Sequence, residues 1–227
     1  MKALVLLSGG LDSSTLLYDV MLRTEITEVM AVGMNYGQRH EKELYAAEMI
    51  AAKNDIFFKV LNLASIAEVL VGSSQTSKHI DVPDGHYADE TMKLTVVPNR
   101  NMIMISLIGA LAIQKKADKI FIAVHGGDHY IYPDCRPGFI SGMDIALHAM
   151  SEGVIRLEAP YLNWTKAEIV KRGAQLNVPF GLTWSCYKGG IFHCGTCGTC
   201  VERKEAFQLA EVKDPTLYLN DPIVTEA

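Results

Sequence analysis

No stretch of this 227-residue chain is rich in lysine or arginine: 21 basic residues are scattered among 26 acidic ones, for a net charge of −5. Proteins that grip duplex or transfer-RNA phosphates carry a basic face. The composition therefore points to a small substrate, with no direct contact to nucleic acid expected. No apolar run is long enough to cross a bilayer; the longest, from Met102 to Ile113, is interrupted by Ser106 and Gly109. The N-terminus lacks the charged, apolar and small-residue order of a signal peptide. The expectation is a cytoplasmic protein without a membrane partner. In that compartment the five cysteines do not form a disulfide framework. There is also no internal repeat, no low-complexity tract and no glutaminase-like segment. What remains is an ordinary globular composition, 49% hydrophobic and 21% charged, sized for one α/β domain with an appendage or for two small domains.

Ser8-Gly9-Gly10-Leu11-Asp12-Ser13-Ser14 is the most informative stretch. It follows a short apolar run and precedes a helical pattern, so a buried strand, a glycine turn and a helix start come in succession. Backbone N–H groups at such a turn attract an anion. Gly9 and Gly10 admit close approach of a phosphate, and the serine hydroxyls add donors. Asp12 is the odd member, because a carboxylate beside phosphates repels them unless a cation intervenes. A Mg²⁺ bridge accounts for it. The blander reading makes Asp12 or Ser13 a helix N-cap. The stretch is neither a Walker A loop nor a dinucleotide fingerprint. It resembles the PP-loop of the ATP pyrophosphatases, which adenylate a carbonyl or carboxylate oxygen and release pyrophosphate.

Strand-like runs at 3–7, 29–34, 57–61 and 120–124 alternate with helical patterns at 13–21, 41–53, 99–116 and 139–150. That alternation predicts a doubly wound, mostly parallel sheet covered on both faces, and the resemblance to the PP-loop implies that it is of the PP-loop ATPase (adenine nucleotide alpha hydrolase-like) type. Ligands bind such sheets beyond the carboxyl ends of the strands. Residues 73–98 form a long connection, the length of a lid or binding loop. The pattern changes near residue 161, which suggests a nucleotide-binding domain over 1–160 and a helical, cysteine-rich region over 161–227. Thr165 and Glu168 read as a capping box opening a helix over 165–177, and a last helix is read over 201–212.

Cys186, Cys194, Cys197 and Cys200 are spaced C-x7-C-x2-C-x2-C, which suits a closed tetrahedral Cys₄ zinc site of structural role, one per chain. Gly195, Gly198 and the Gly189-Gly190 pair permit the tight turns. An iron–sulfur cluster is the rival reading, and His193 could replace one thiolate. Three further constellations leave strand ends. Tyr36-Gly37-Gln38-Arg39-His40 follows the second strand, and Asn99-Arg100-Asn101 opens the long helix. Arg100 opposes the helix dipole there, so it calls for an anionic partner such as phosphate. The third, from His125 to Arg136, concentrates Asp128, Tyr132, Asp134 and Arg136 with two histidines and Cys135. It suits a pocket for a flat, hydrogen-bonding heterocycle, although loop polarity alone could explain it. Lys166 and Lys188 are candidate anion contacts, although singly each reads more often as a solvated surface lysine.

Taken together, Ser8 to Ser14, Tyr36 to His40, Val97 to Asn101, Tyr132 to Arg136, and the four cysteines with Arg203 downstream resemble the 7-cyano-7-deazaguanine synthase family, in order, across nearly the whole chain. That family usually has glycine where Asn99 stands, and asparagine tolerates left-handed backbone well. The resemblance implies ATP-dependent conversion of 7-carboxy-7-deazaguanine and ammonia to the 7-cyano base through an amide. It also implies Mg²⁺, structural zinc and a homodimer. On that reading, Ser8 to Ser14 hold the nucleotide. Asp12, Arg100 and Lys166 carry the chemistry, and Gln38, Arg39, Asp128, Tyr132, Asp134 and Arg136 bind the base. The alternatives are a tRNA-thiolating PP-loop enzyme with Cys135 as sulfur carrier, or a PP-loop enzyme that modifies another protein.

Overall fold

In the computed structural model, which describes residues 1–39, 41–77, 79–86, 93–126 and 132–225, the apolar N-terminal run becomes the central strand of a five-stranded parallel sheet. The strands are β1 (Lys2–Leu6), β2 (Glu28–Asn35), β3 (Phe57–Asn62), β4 (Lys119–Phe121) and β5 (Arg156–Glu158), in the order β3-β2-β1-β4-β5. In β1, Leu4 faces one side and Ala3 and Val5 the other, and all three are buried. A strand apolar at every position after Lys2 is what a sheet with two covered faces requires.

One face carries α1 (Leu11–Met21) and α2 (Lys42–Lys53), and the other carries α3 (Arg100–Lys115) and α4 (Pro137–Met150). Leu4, Val32, Ile105, Ile108, Ile120 and Leu147 form the core under α3 and α4. Val5, Leu16, Leu17, Ile50 and Phe121 form the core under α1 and α2. Residues after 160 add α5 (Lys166–Gln175) and α6 (Gly198–Leu209). Ile169, Val170 and Phe207 from these helices bury in the same core as Val5.

The capping box forms: the Thr165 N–H donates to Glu168 Oε2 at 2.7 Å, and the Glu168 N–H donates to Thr165 Oγ1 at 3.2 Å. Asn99 adopts the left-handed region at φ 56°. The helix after the glycine turn starts earlier than its sequence pattern, with Gly10 in the N-cap position and no side-chain cap. This removes the reading of Asp12 or Ser13 as the cap. The fourth strand ends at Phe121 rather than residue 124, and β5 was not foreseen. With one buried residue, Leu157, between two charged ones, β5 carries too short an apolar signal to read. No helix among the described residues is long and apolar enough to cross a membrane.

Candidate active site and cysteine cluster

The chain runs β1-β2-β3 toward one sheet edge, then returns to place β4 on the other side of β1. A cleft opens at this switch point, where doubly wound sheets bind ligands. It has an interior of about 290 Å³ and is lined from the strand ends by Leu6, Met34 and Ile122, and from the glycine turn by Ser8, Gly10, Asp12 and Ser13.

One charged group sits against the turn. Asp12 Oδ2 lies 3.3 Å from Lys166 Nζ and 3.7 Å from His125 Nε2. Asp12 Oδ1 is buried and has no hydrogen-bond partner among the described residues, as is true of His125 Nδ1. Lys166 Nζ also meets Glu202 Oε2 at 2.8 Å. Burial opposes its charge, but Asp12 and Glu202 outweigh burial and raise its pKa. Lys166 is therefore a fixed ammonium between two carboxylates.

The turn is wired internally. Ser13 Oγ accepts from the Ser8 N–H at 3.1 Å and lies 2.9 Å from Ser8 Oγ. Two members of the motif do not line the cleft. Ser14 is fully buried and its hydroxyl donates to the Gly10 carbonyl at 2.7 Å. Gly9, at φ +85°, is a glycine because α2 packs against it: a Cβ would come 2.1 Å from the Glu43 carbonyl oxygen. Close approach by phosphate is thus not what demands Gly9.

A second group lines the same cleft. Arg100 donates to Gln75 Oε1 at 3.3 Å. Burial works against its charge, but Tyr36, Tyr187 and Asp134 more than compensate and raise its pKa. Tyr36, Tyr132 and Tyr187 all have pKa values raised by burial, so they stay protonated donors. Glu43 belongs to this group; burial pushes its carboxyl up to about 7 against the opposing effect of Arg100.

Several residues assigned to base binding have structural partners instead. Asp134 is absent from the cleft lining; its Oδ2 accepts the Asn101 backbone N–H at 3.1 Å and so caps the start of α3. Arg39 does not line the cleft either: its guanidinium donates to the carbonyls of Ser74 and Ile80 at 3.3 and 3.0 Å, pinning the long connection. Gln38 does line the cleft, but its amide accepts from the Tyr36 N–H at 3.0 Å and donates to the Met34 carbonyl at 3.2 Å. Arg136 is exposed at the start of α4. Tyr132 faces the cleft and lies 2.7 Å from Thr95 Oγ1. Asp128, like His40, falls outside the described residues. Lys188 is exposed and pairs with Asp84 at 2.6 Å. Glu43, Gln75, Tyr187 and Glu202 were missed, because no local motif marks them.

Cys135 lines the cleft as a thiol, its pKa raised to about 12 by burial and by Asp134.

The ligand atoms of Cys186, Cys194, Cys197 and Cys200 lie within 4.8 Å of one another, and all four residues are buried. Backbone N–H groups point at the sulfurs: Cys194 N–H at Cys186 Sγ (3.3 Å), and Thr196 and Cys197 N–H at Cys194 Sγ (3.4 and 3.2 Å). Such donors stabilise thiolates and orient metal ligands. His193 is not part of the set. Its Nε2 accepts from the Ser185 N–H at 3.1 Å, and burial, then Arg203, lower its pKa to about 4. The cluster fits a metal ion.

Sheet, switch-point cleft, PP-loop turn and cysteine cluster together define an ATP-using enzyme of the PP-loop class. The family model of the queuosine biosynthesis protein QueC matches residues 2–211, and the chain belongs to that family. A 7-cyano-7-deazaguanine synthase of Brucella anthropi is 52% identical over 220 residues, covering 96% of this chain and 94% of the relative. The enzyme of that name from Allorhizobium ampelinum is 51% identical over 224 residues, covering 98% of this chain and 94% of the relative.

Proposed function

We propose that this protein is an ATP-dependent carbon–nitrogen ligase that converts 7-carboxy-7-deazaguanine and ammonia to 7-cyano-7-deazaguanine. The observation that carries the reading is the half-buried Asp12–Lys166 pair beside the glycine turn at the sheet's switch point. A carboxylate has no good leaving group, and ATP supplies one. The carboxylate oxygen attacks the α-phosphorus, which forms an acyl adenylate and releases pyrophosphate. Ammonia then displaces AMP to give the amide. The amide oxygen attacks the α-phosphorus of a second ATP, again releasing pyrophosphate, and loss of AMP and of the nitrogen-bound protons leaves the nitrile.

The protein's part in this scheme is positioning and charge neutralisation. The Gly10 backbone and the Ser8 and Ser13 hydroxyls hold the departing pyrophosphate, Lys166 offsets its charge, and Arg100 faces the acid. Asp12, with a buried oxygen that lacks a partner among the described residues, would hold Mg²⁺, which would supply further neutralisation of the phosphates. The cysteine cluster would hold one structural zinc. Metal–sulfur bonds of about 2.3 Å give a tetrahedron with edges of roughly 3.8 Å, and Cys194 Sγ lies 3.8 Å from Cys200 Sγ. A cluster that spreads its thiolates over several irons needs them wider apart. The protonated Cys135 disfavours the tRNA-thiolating alternative, because a sulfur carrier works as a thiolate.

We further read the protein as a cytoplasmic homodimer in which residues 161–227 form a cysteine-bearing region against a nucleotide-binding domain of 1–160. The direct test is mass spectrometry of products from ATP, ammonium and 7-carboxy-7-deazaguanine. The expected outcome is AMP together with the amide and nitrile. Absence of both nitrogen products from metal-replete enzyme would sink the reading.

A further inference from the structure

Among the described residues, three carboxylates line the cleft: Asp12, Glu43 and Glu202. Asp12 and Glu202 are both held by Lys166, at 3.3 and 2.8 Å. Glu43 makes no hydrogen bond or ion pair among the described residues. Its neighbours are Arg100 on α3, Tyr36 after β2 and Tyr187 in the cysteine-bearing segment. Those neighbours combine flat aromatic surface with fixed donors, while the Glu43 carboxylate contributes acceptors alone. Glu43 is half-buried and opens onto the cleft, so a ligand that fills the cleft desolvates this acceptor pair and must bring the donors that match it. A guanine-type heterocycle carries two adjacent ones, the ring N–H and the exocyclic amine, and a carboxylate accepts both side by side.

We infer that Glu43 is the specificity-determining residue that reads the N–H edge of the 7-deazaguanine ring, the acid's carboxylate being turned toward the cationic groups of the cleft. This inference rests on the reaction proposed above. It moves base reading from Asp134, which is occupied at the start of α3, to a residue on α2.

The test is a cycle of two enzymes and two ligands. Wild type and Glu43→Gln are titrated calorimetrically with 7-carboxy-7-deazaguanine and with the same acid lacking its exocyclic amine. A non-hydrolysable ATP analogue reports on the integrity of the nucleotide site. An amide offers one acceptor and a misdirected donor, so Glu43→Gln loses at least roughly tenfold in affinity for the full acid. Wild type loses a similar factor on removal of the amine, whereas Glu43→Gln loses no more than about twofold, because the two changes remove one interaction. Glu43→Asp, which keeps the charge, retains discrimination against the amine-free acid. ATP-analogue affinity stays the same in all three proteins. Binding of the full acid by wild type also strengthens from pH 6 to pH 8 as Glu43 ionises, and Glu43→Gln removes that trend. Arg100, Tyr36 and Tyr187, the charged and titratable groups facing Glu43, keep their protons over this range. Equal losses on amine removal in wild type and Glu43→Gln would overturn the assignment while leaving the reaction standing. A wild type that binds neither acid, yet binds the ATP analogue, would overturn both.

Discussion

Asp12 and Glu43 are carboxylates of one cleft with opposite surroundings, and each should fail in its own way. Asp12 sits beside two cationic or basic partners on the first turn of α1, with one oxygen left over. Asp12→Ala should abolish AMP release while leaving circular dichroism unchanged, since no core contact is lost. Full AMP release by the variant would remove Asp12 from the chemistry. Glu43 is held against desolvation, which raises its carboxyl from the ordinary 4.5 to about 7. The folded protein therefore keeps a proton that the unfolded chain releases between those values. This contribution to stability is fully present below pH 4.5 and lost as the pH rises through about 7. Glu43→Gln cannot ionise, so it should melt higher than wild type at pH 8 by an amount worth about 1–3 kcal/mol. At pH 4.5 the two should nearly coincide. Thermal melts at the two pH values check this. A residue that weakens the fold at working pH fits one retained for its ligand.

At the scale of elements, the entry to α3 shows how a binding site depends on a helix start. Asn99 turns the chain through left-handed backbone, Arg100 takes the first helical position, and Asp134 accepts the Asn101 N–H from a loop 33 residues away in sequence. Asp134→Ala should cost about 0.5–2 kcal/mol in stability, as loss of a helix cap does. It should lower the melting temperature and reduce turnover through misplacement of Arg100. Unchanged melting with weakened binding of the acid would instead return base reading to Asp134. Asp134 also marks the limit of what the sequence made legible. Strands buried on both faces, the capping box and the turn after β1 are short-range patterns, and they could be read from neighbouring residues. Whether a polar loop residue meets a ligand or a helix terminus depends on which element lies opposite, and no local spacing encodes that. The same reason hid Glu43, which looks like one more polar residue of an amphipathic helix. It also misdirected the reading of Gly9, whose neighbour is the backbone of α2.

Across the whole molecule, the cysteine cluster ties the cleft together from behind. The Trp184 N–H donates to the Gly9 carbonyl at 2.9 Å, joining the cysteine-bearing segment to the glycine turn. Asp84 of the long connection bridges to Cys197, and Val82 packs among the cysteines. Lys42 on α2 donates to the carbonyls of Gly190 and Ile191. Glu202, which holds Lys166, stands on α6 two residues beyond Cys200. Loss of the metal should therefore reach the cleft through four separate connections even though a closed Cys₄ site has no open position for chemistry. Structural zinc contributes folding free energy directly, on the order of several kcal/mol or more. Cys197→Ser should accordingly lose zinc, melting temperature and turnover together. Chelator-treated wild type should behave in the same way and recover all three when zinc is returned, while the variant should not recover. Elemental analysis, thermal melts and AMP release on the same samples check the linkage. Full turnover in metal-free protein would show that the cleft stands without the cluster. Several irons per chain together with acid-labile sulfide in the purified protein would replace zinc by a cluster of several metals, for which four sulfurs within 4.8 Å of one another are set too close.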